Sequence, residues 1–294
     1  MEACSGALHW ARLFAQHGHT VRAPDRPQVR GAISHERGKR GKNDAADAAA
    51  ICEAVQRPNM RFVPGKSLQQ QRQLMVHRAR QGYVEAHTAC INRIRGLLSE
   101  FGHVLPLKAD TVRRQAGLLL EELPGWANTV IGDLLSELHH LDERIAGYDH
   151  HIAAIAREDE RAQQLMRLRG VGPTTATTIV DIIGRGHESR CGRQFAAWLG
   201  LTPGQYSSGG KTRLGRITKA GDAYLRTLLI LSARAVLAAA KNKTDSISRW
   251  ANALAARLLE GCGCDRGQER THGLGGAHAR RVLQAAGVEA TRIR

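Results

Sequence analysis

Residues 131–155, IGDLLSELHHLDERIAGYDHHIAAI, carry the clearest pattern in the 294-residue chain. A heptad seam of more than three repeats predicts a long helix that buries one apolar stripe. Two interpretations are equally supported: the helix packs on a partner in its own chain, or it forms a coiled coil that also joins protomers. The seam side chains recur at alternating intervals of three and four residues, at Ile131, Leu134, Leu138, Leu141, Ile145, Tyr148, Ile152 and Ile155.

The segments on either side of this seam are also helical in pattern. Residues 67–101 predict a second long helix, which makes the middle of the chain a helical hairpin and a spacer. Further along, residues 224–240 predict an apolar helix within a compact region. Hydrophobic residues make up 42% of the chain and aromatic residues only 4%, so its cores must consist mainly of Leu, Ile, Val and Ala. This composition favours helices, and the sequence predicts a mainly α protein.

The start of the chain, residues 1–65, predicts a partial α/β lobe. Such a layer needs a central set of strands, and the two weak candidates found here are too few. The lobe is therefore expected to be incomplete at its start. Its expected elements are helices over residues 7–17 and 44–56, short strands over residues 19–23 and 61–64, and a basic loop over residues 25–42.

The charge of the chain indicates a polyanionic partner. It carries 43 Lys and Arg against 27 Asp and Glu, a formal net charge of +16, and nucleic acid is the leading candidate. No run of about 18 uncharged apolar residues is present, which argues against a membrane partner. The six scattered cysteines are typical of reduced thiols, which indicates a cytoplasmic protein.

Two carboxylates stand three residues apart in the segment KNDAADA, residues 42–48. Asp44 and Asp47 fall on one helix face, where Mg²⁺ could separate their charges. The alternative is that Asp44 caps the helix, with Asp47 in its first turn. Glu2 could add a third carboxylate to the metal site. The residues alone leave both interpretations open.

A serine pair lies in the segment GLTPGQYSSGGK, residues 200–211. Ser208 precedes two glycines, so a phosphate could approach its hydroxyl closely. Lys211, Arg213 and Arg216 could hold that phosphate and stabilise the charge that develops when the serine attacks. The alternative is a flexible basic loop without chemistry.

The segment LMRLRGVGPTTA, residues 165–176, predicts two helices joined by a Gly-Val-Gly turn. The second helix would begin near Thr174, with backbone N–H groups and the positive end of its dipole exposed to an anion. That arrangement is typical of a helix-hairpin-helix element, which grips a DNA phosphate without reading the base sequence. An ordinary helix–helix turn is the equally weighted alternative.

Taken in order, these motifs resemble those of the DEDD-type insertion-sequence transposases, the IS-one-ten family and its IS-eleven-eleven subgroup. The resemblance spans about residues 2–260, and it is the joint order of the motifs that is specific. The matching segments are EAC (2–4), HWAR (9–12), KNDAADA (42–48), RPNMRFVP (57–64), GVGP (170–173), AWLGL (197–201), SSGGK (207–211) and GDAYLR (221–226).

The resemblance implies a RuvC-like (RNase H-like) lobe, a coiled-coil middle and a helical C-terminal domain with a helix-hairpin-helix and a catalytic serine. It assigns residues 1–65, 66–164 and 165–260 to these parts. Family members recombine DNA under the guidance of a structured RNA, and four acids bind Mg²⁺ beside the scissile phosphate.

Carried onto this chain, the resemblance makes Glu2 the second acid, Asp44 the third and Asp47 the fourth. Ser208 is the favoured nucleophile, and Ser207 is held in reserve. The residues expected to contact DNA are Gly170, Gly172, Thr174, Lys211, Arg213, Arg216, Lys219 and Arg226.

Two departures from the family pattern affect the expected activity. Met1 stands directly before Glu2, so the first acid is missing; an N-terminal truncation is inferred, and impaired activity is expected. Residues 269–279 lack helical periodicity, and residues 261–294 are expected to be an aberrant, disordered tail. We hypothesise a frameshift there, because a suitable choice of codons for residues 269–279, read one base later, encodes a helix of the family type.

The sequence thus predicts a DNA transposase with double-stranded DNA, a guide RNA and copies of itself as partners, forming a dimer or tetramer through the coiled coil. Its place is the cytoplasm, at the nucleoid. One alternative is a non-catalytic nucleic-acid-binding remnant. Another is a RuvC-like hydrolytic junction nuclease in which water attacks and the serine is incidental.

Overall fold

The computed structural model describes residues 6–23, 44–57, 62, 65–184 and 191–260. These residues are mostly helical, with one small two-stranded sheet, so the prediction of a mainly α protein is confirmed. The chain divides into two compact units, residues 1–71 and 72–294.

The first unit contains helices α1 (Ala7–Gln16) and α2 (Asp44–Gln56), close to their predicted bounds. The rings of Trp10 and Phe14 stack along α1 with centroids 6.0 Å apart. Arg12 Nη1 donates to the Lys66 carbonyl at 3.3 Å. Helix α2 is rich in alanine, the residue with the highest helix propensity.

The predicted strand over residues 19–23 is wrong, because these residues form no regular element. Thr20 and Val21 favour extended backbone, but a strand also needs a partner for its hydrogen-bond ladder, and none pairs with this segment in the described ranges. Of the predicted strand 61–64 only Phe62 is described, in an isolated bridge. The loop 25–42 and the tail 261–294 lie outside the described residues.

The second unit opens with a long helical hairpin, as predicted. Helix α3 (Leu68–Ser99) and helix α5 (Trp126–Glu158) are joined through α4 (Ala109–Leu119) and a short 3₁₀ turn (Leu120–Glu122). Contacts between α3 and α5 run in opposite directions along the two helices. They include the Arg80–Asp149 ion pair, the stacked rings of Tyr83 and Tyr148, and the Cys90 thiol on the Leu134 carbonyl.

The heptad seam packs within the chain over much of its length. Ile131, Leu138 and Leu141 from α5 are buried in one cluster with Ile94 and Leu98 from α3. The interpretation as packing on a partner in the same chain therefore accounts for this half of the seam. Whether the hairpin also joins protomers stays a prediction.

The rest of the second unit is a compact helical core with the sheet at its surface. Helix α7 (Pro173–Ile183) is buried along almost its full length, and its apolar side chains Ala176, Ile179 and Val180 join a cluster with Leu225 and Leu229. The elements are α6 (Glu160–Met166), α7 (Pro173–Ile183), α8 (Gly192–Trp198), β1 (Pro203–Gln205), β2 (Leu214–Ile217), α9 (Ala223–Ala240) and α10 (Ser246–Glu260).

Helix α9 is long and apolar enough to cross a membrane, by length and composition alone. Two arginines, Arg226 and Arg234, interrupt it, and Leu225 and Leu229 are fully buried in the protein core. A core helix satisfies the same criterion, and these contacts make α9 a core helix.

Candidate functional site: a serine-tipped hairpin

The serine segment folds as a β-hairpin, an element that the sequence analysis missed. Strands β1 and β2 pair antiparallel, with Pro203 opposite Ile217 and Gln205 opposite Leu214. The chain reverses through a tight turn in which Gly209 and Gly210 have φ values of 56° and 75°. Two consecutive positive φ angles define a type I′ turn, which glycines adopt at little cost. The Gly-Gly pair was the available signal for this hairpin.

The two serines have different environments in this hairpin. Ser207 Oγ accepts a hydrogen bond from the Arg213 backbone N–H at 3.0 Å and another from Gln205 Nε2 at 2.9 Å. Its hydroxyl therefore fastens one strand to the other. Ser208 opens the turn, where its carbonyl accepts from the Lys211 N–H at 3.1 Å. Its side chain is exposed and has no hydrogen bond within the described part of the chain.

The hairpin lies in a segment whose charged residues are all basic. From residue 191 to residue 221 the chain has five Lys and Arg and no Asp or Glu. The four cations on the hairpin and at its foot are exposed, and within the described ranges none of them forms an ion pair. An anion at the turn would meet no competing carboxylate from this segment. The four are Lys211, Arg213, Arg216 and Lys219.

The foot of the hairpin is held by close backbone contacts. The Lys219 N–H donates to the Gly200 carbonyl at 3.0 Å, and Lys219 itself has φ 54°. Arg226, expected to bind DNA, directs its Nη1 atom to two carbonyls at this foot, Leu199 at 3.0 Å and Gly221 at 3.1 Å. The foot of the hairpin is thus fixed to the core, whereas its turn is exposed.

The Gly-Val-Gly segment joins α6 to α7 through residues 167–172. Gly170 has φ 88°, and a Cβ atom there would lie 2.5 Å from Val236 Cγ2, so the turn sits directly on α9. Gly172 is exposed and precedes Pro173, the first residue of α7. Thr174 is half-buried, and its carbonyl accepts from the Thr178 hydroxyl at 2.7 Å.

A buried polar group behind α7 was not found from the sequence. His77 of α3 has no exposed surface; its Nε2 lies 3.0 Å from Thr177 Oγ1 and its Nδ1 lies 3.2 Å from Thr178 Oγ1. A neutral imidazole has one N–H to donate, and either threonine hydroxyl can accept it while its own proton goes to a backbone carbonyl. Asp181 Oδ2 lies 4.0 Å away. This group fixes α7 against the helical hairpin.

Burial, together with the positive charge of nearby Arg80, lowers the pKa of His77 to about 4. Unfolded histidine titrates near 6.5, so between these two values the unfolded chain holds more protons than the native one. We expect the free energy of unfolding to fall by up to about 3 kcal/mol as pH decreases through this window. Urea unfolding at several pH values measures the loss.

The matched control for this pH dependence is His77→Gln, which keeps a donor and an acceptor near the two threonines but does not titrate. It should lose less stability than the native chain between pH 6.5 and 4. Equal losses in the two proteins would contradict a neutral, buried His77.

The predicted acidic site is only partly described. Asp44 is exposed and is the first residue of α2, and Asp47 lies one turn further along the same helix. The side chain of Asp47 and the whole of Glu2 lie outside the described residues. No cluster of three or more potential metal ligands occurs within the described ranges.

Comparison with known proteins gives the class of this fold and site. A transposase family model of the DEDD type matches residues 2–103, and the model described as "Transposase IS116/IS110/IS902 family" matches residues 162–248. The second match contains the whole serine hairpin.

Individual relatives agree with these models. A "Probable family 20 transposase" of Pseudomonas aeruginosa is 45% identical over 266 residues, covering 87% of this chain and 76% of the relative. The "Transposase for insertion sequence element IS1111A" of Coxiella burnetii is 39% identical, covering 87% and 70%. The "Transposase for insertion sequence element IS1328" of Yersinia enterocolitica is 34% identical, covering 86% and 74%. The chain belongs to the IS110 family of insertion-sequence transposases, which are DNA-binding enzymes.

Proposed function

We propose that this transposase cuts and rejoins DNA through a covalent link to Ser208. The Ser208 oxygen loses its proton and forms a bond to a backbone phosphorus, while the bond from that phosphorus to one deoxyribose oxygen breaks. The released oxygen takes up a proton. The phosphodiester energy is retained in the serine link and drives rejoining to a second strand.

The observation that carries this proposal is the position of Ser208 at the tip of the hairpin. Its hydroxyl is exposed, whereas that of Ser207 is occupied by two hydrogen bonds. The neighbouring glycines carry no side chain that would keep a phosphate away, and a Cβ at either would meet nothing within 4 Å. Lys211 and Arg213 supply positive charge for the attacked phosphate.

The remaining DNA contacts proposed here are phosphate contacts. Arg216 and Lys219 extend the cationic strip from the turn to the foot of the hairpin. At the Gly-Val-Gly turn, the exposed Gly170 and Gly172 and the nearby Thr174 suit a helix-hairpin-helix that holds a second phosphate. Arg226 would act from the foot, where it also holds the backbone.

A divalent ion, Mg²⁺ by resemblance, is proposed for a RuvC-like lobe in residues 1–65. The donor chemistry fits, since Glu2, Asp44 and Asp47 are oxygen ligands and the last two share a helix. The ion would supply stabilisation of negative charge on a bound phosphate. Asp44 and Asp47 would hold it, with Glu2 as a third ligand.

The proposed partners are double-stranded DNA, the structured RNA of the element and further copies of the chain, in the cytoplasm at the nucleoid. Residues 66–164 would be the assembly region and residues 165–260 the serine domain. The proposed assembly region is supported by exposed apolar side chains toward one end of the helical hairpin, a composition typical of interaction surfaces. They are Val104 (86% exposed), Trp126 (84%), Leu107 (81%) and Leu118 (73%).

The test is to trap the covalent intermediate. The full chain is mixed with Mg²⁺, the RNA from the element's end and a labelled duplex carrying that end, then quenched in detergent. We expect a labelled band at the mass of protein plus DNA, and peptide mapping should place the nucleotide on Ser208. Asp44→Asn should lower the yield at least about tenfold, because the acid set would lose a metal ligand.

Strand cleavage that leaves no protein–DNA adduct would overturn the serine mechanism and favour hydrolysis by water. DNA binding with neither cleavage nor adduct would favour a non-catalytic protein. An adduct mapped to any residue other than the serine pair would also exclude the proposal.

A further inference from the structure

Tyr206 occupies an unusual place on the serine hairpin. It follows β1, and its N–H donates to the Arg213 carbonyl at 2.9 Å. A Cβ atom built on Gly215 would lie 3.0 Å from Tyr206 Cε2, and one built on Gly204 would lie 3.7 Å from the same atom. The ring therefore lies across the backbone of both strands, at the positions where each strand has a glycine.

This ring does little for the protein core. Tyr206 is 76% exposed, and the backbone at Gly204 and Gly215 lies beside its ring. The two glycines form a floor that limits how the ring can turn. An exposed aromatic ring held in a fixed orientation loses little conformational freedom when a flat ligand covers its open face.

The surroundings of Tyr206 indicate what that ligand is. Lys211, Arg213 and Arg216 stand on the same hairpin, and the segment holds no acidic residue. Aromatic rings combined with cations are the elements by which proteins bind unpaired nucleotides, with the ring stacked on a base and the cations on the backbone.

The spacing along the chain links this ring to the proposed chemistry. Ser208 is two positions after Tyr206, and two steps along an extended chain span at most about 7 Å. Stacked nucleotides repeat about every 3.4 Å along a strand. A base on Tyr206 would therefore belong to a nucleotide within about two steps of the phosphate at Ser208.

We propose that Tyr206 stacks on an unpaired DNA base beside the scissile phosphate and so positions that phosphate for Ser208. The inference rests on the proposed serine function and adds to it a requirement for local opening of the duplex. Tyr206 is a substrate-binding residue in this scheme, not a proton donor, so its hydroxyl is dispensable.

The test uses duplexes of the element's end with 2-aminopurine, a fluorescent base quenched by stacking, placed one or two nucleotides from the cut. Full-chain protein and its Tyr206→Phe variant should quench the fluorescence equally, and Tyr206→Ala should not. For a duplex with a mispair beside the cut, which supplies the unpaired base, we expect Tyr206→Ala to bind at least about fivefold more weakly than the native chain, because one base–aromatic stack is lost. Gly215→Val is a second variant, which displaces the ring while keeping the tyrosine. It should fail to quench the fluorescence, as Tyr206→Ala does.

The matched control is Leu214→Ala, which removes another exposed apolar side chain from the same hairpin and should leave quenching and affinity unchanged. If Tyr206→Ala quenches and binds like the native chain while the Ser208 adduct still forms, the stacking proposal falls and the serine function stands. Quenching without any adduct would leave stacking supported and overturn the serine function. Quenching of labelled RNA alone would overturn the assignment to DNA.

Discussion

Ser208→Ala should abolish the covalent DNA adduct and slow strand cleavage by at least about a thousandfold, the scale expected when a nucleophile is deleted from an enzyme. Only one oxygen is removed, and the turn is kept by Gly209, Gly210 and the backbone bond from Lys211 to Ser208. DNA affinity should therefore stay within about twofold of the native value. Single-turnover cleavage and filter binding measure the two quantities separately.

Ser207→Ala is the matched control for this experiment. It deletes the acceptor for the Arg213 N–H and for Gln205 Nε2, so it loosens the hairpin without removing the proposed nucleophile. We expect cleavage to slow by about tenfold while the adduct persists, since each lost hydrogen bond costs about 1 kcal/mol. If instead Ser207→Ala abolished the adduct and Ser208→Ala retained it, the nucleophile would be Ser207.

Gly221→Ala should destabilise the protein by about 3 kcal/mol or more, the range of severe packing defects. A Cβ atom at this position would lie 2.1 Å from the Trp198 carbonyl oxygen and 2.7 Å from Leu199 Cα. Both are backbone atoms, so no side chain can turn away to make room. The two chain segments at the foot of the hairpin would have to separate, and the Arg226 bonds there would be disturbed. Urea unfolding followed by circular dichroism gives the change in free energy.

Gly147→Ala provides the comparison for Gly221. Gly147 is exposed on α5, and a Cβ atom there would meet nothing within 4 Å. Alanine is the better helix former, so this variant should be about 0.5–1 kcal/mol more stable than the native chain. Equal unfolding midpoints for Gly221→Ala and the native chain would refute the close backbone contact.

The long helices α5 and α9 were predictable because each buries a stripe that the sequence repeats. The seam from Ile131 to Ile155 and the apolar run of α9 both carry that periodicity over several turns. Because these helices are long, single residues that break the pattern do not change the prediction. The existence of the helical hairpin followed, since two long helices that follow one another along the chain bury their apolar stripes against each other.

The serine hairpin could not be found by periodicity. Strands β1 and β2 have three and four residues, and their side chains are mostly exposed, so no alternating pattern marks a buried face. Its only local signal is the glycine pair after Ser208. In sequence, Ser208 was favoured only because it precedes the glycines; the structure adds that the Ser207 hydroxyl accepts two hydrogen bonds.

The His77 group was beyond sequence reasoning for a different reason. Its partner Thr177 is 100 residues away along the chain, and neither residue stands in a motif with its own chemistry. Such contacts follow from how helices cross. The family resemblance supplied the roles of Asp44 and Ser208, which residue spacing alone left open.

The one-sided charge of residues 191–221 gives ionic strength two opposite effects. In the free protein, dissolved ions shield the like charges on the hairpin from one another and so relax their mutual repulsion. In the complex, the same ions compete with these cations for the phosphates. DNA affinity falls because the release of counterions from the DNA gains less entropy at higher salt concentration. High ionic strength thus stabilises the hairpin of the free protein and at the same time weakens its binding to DNA.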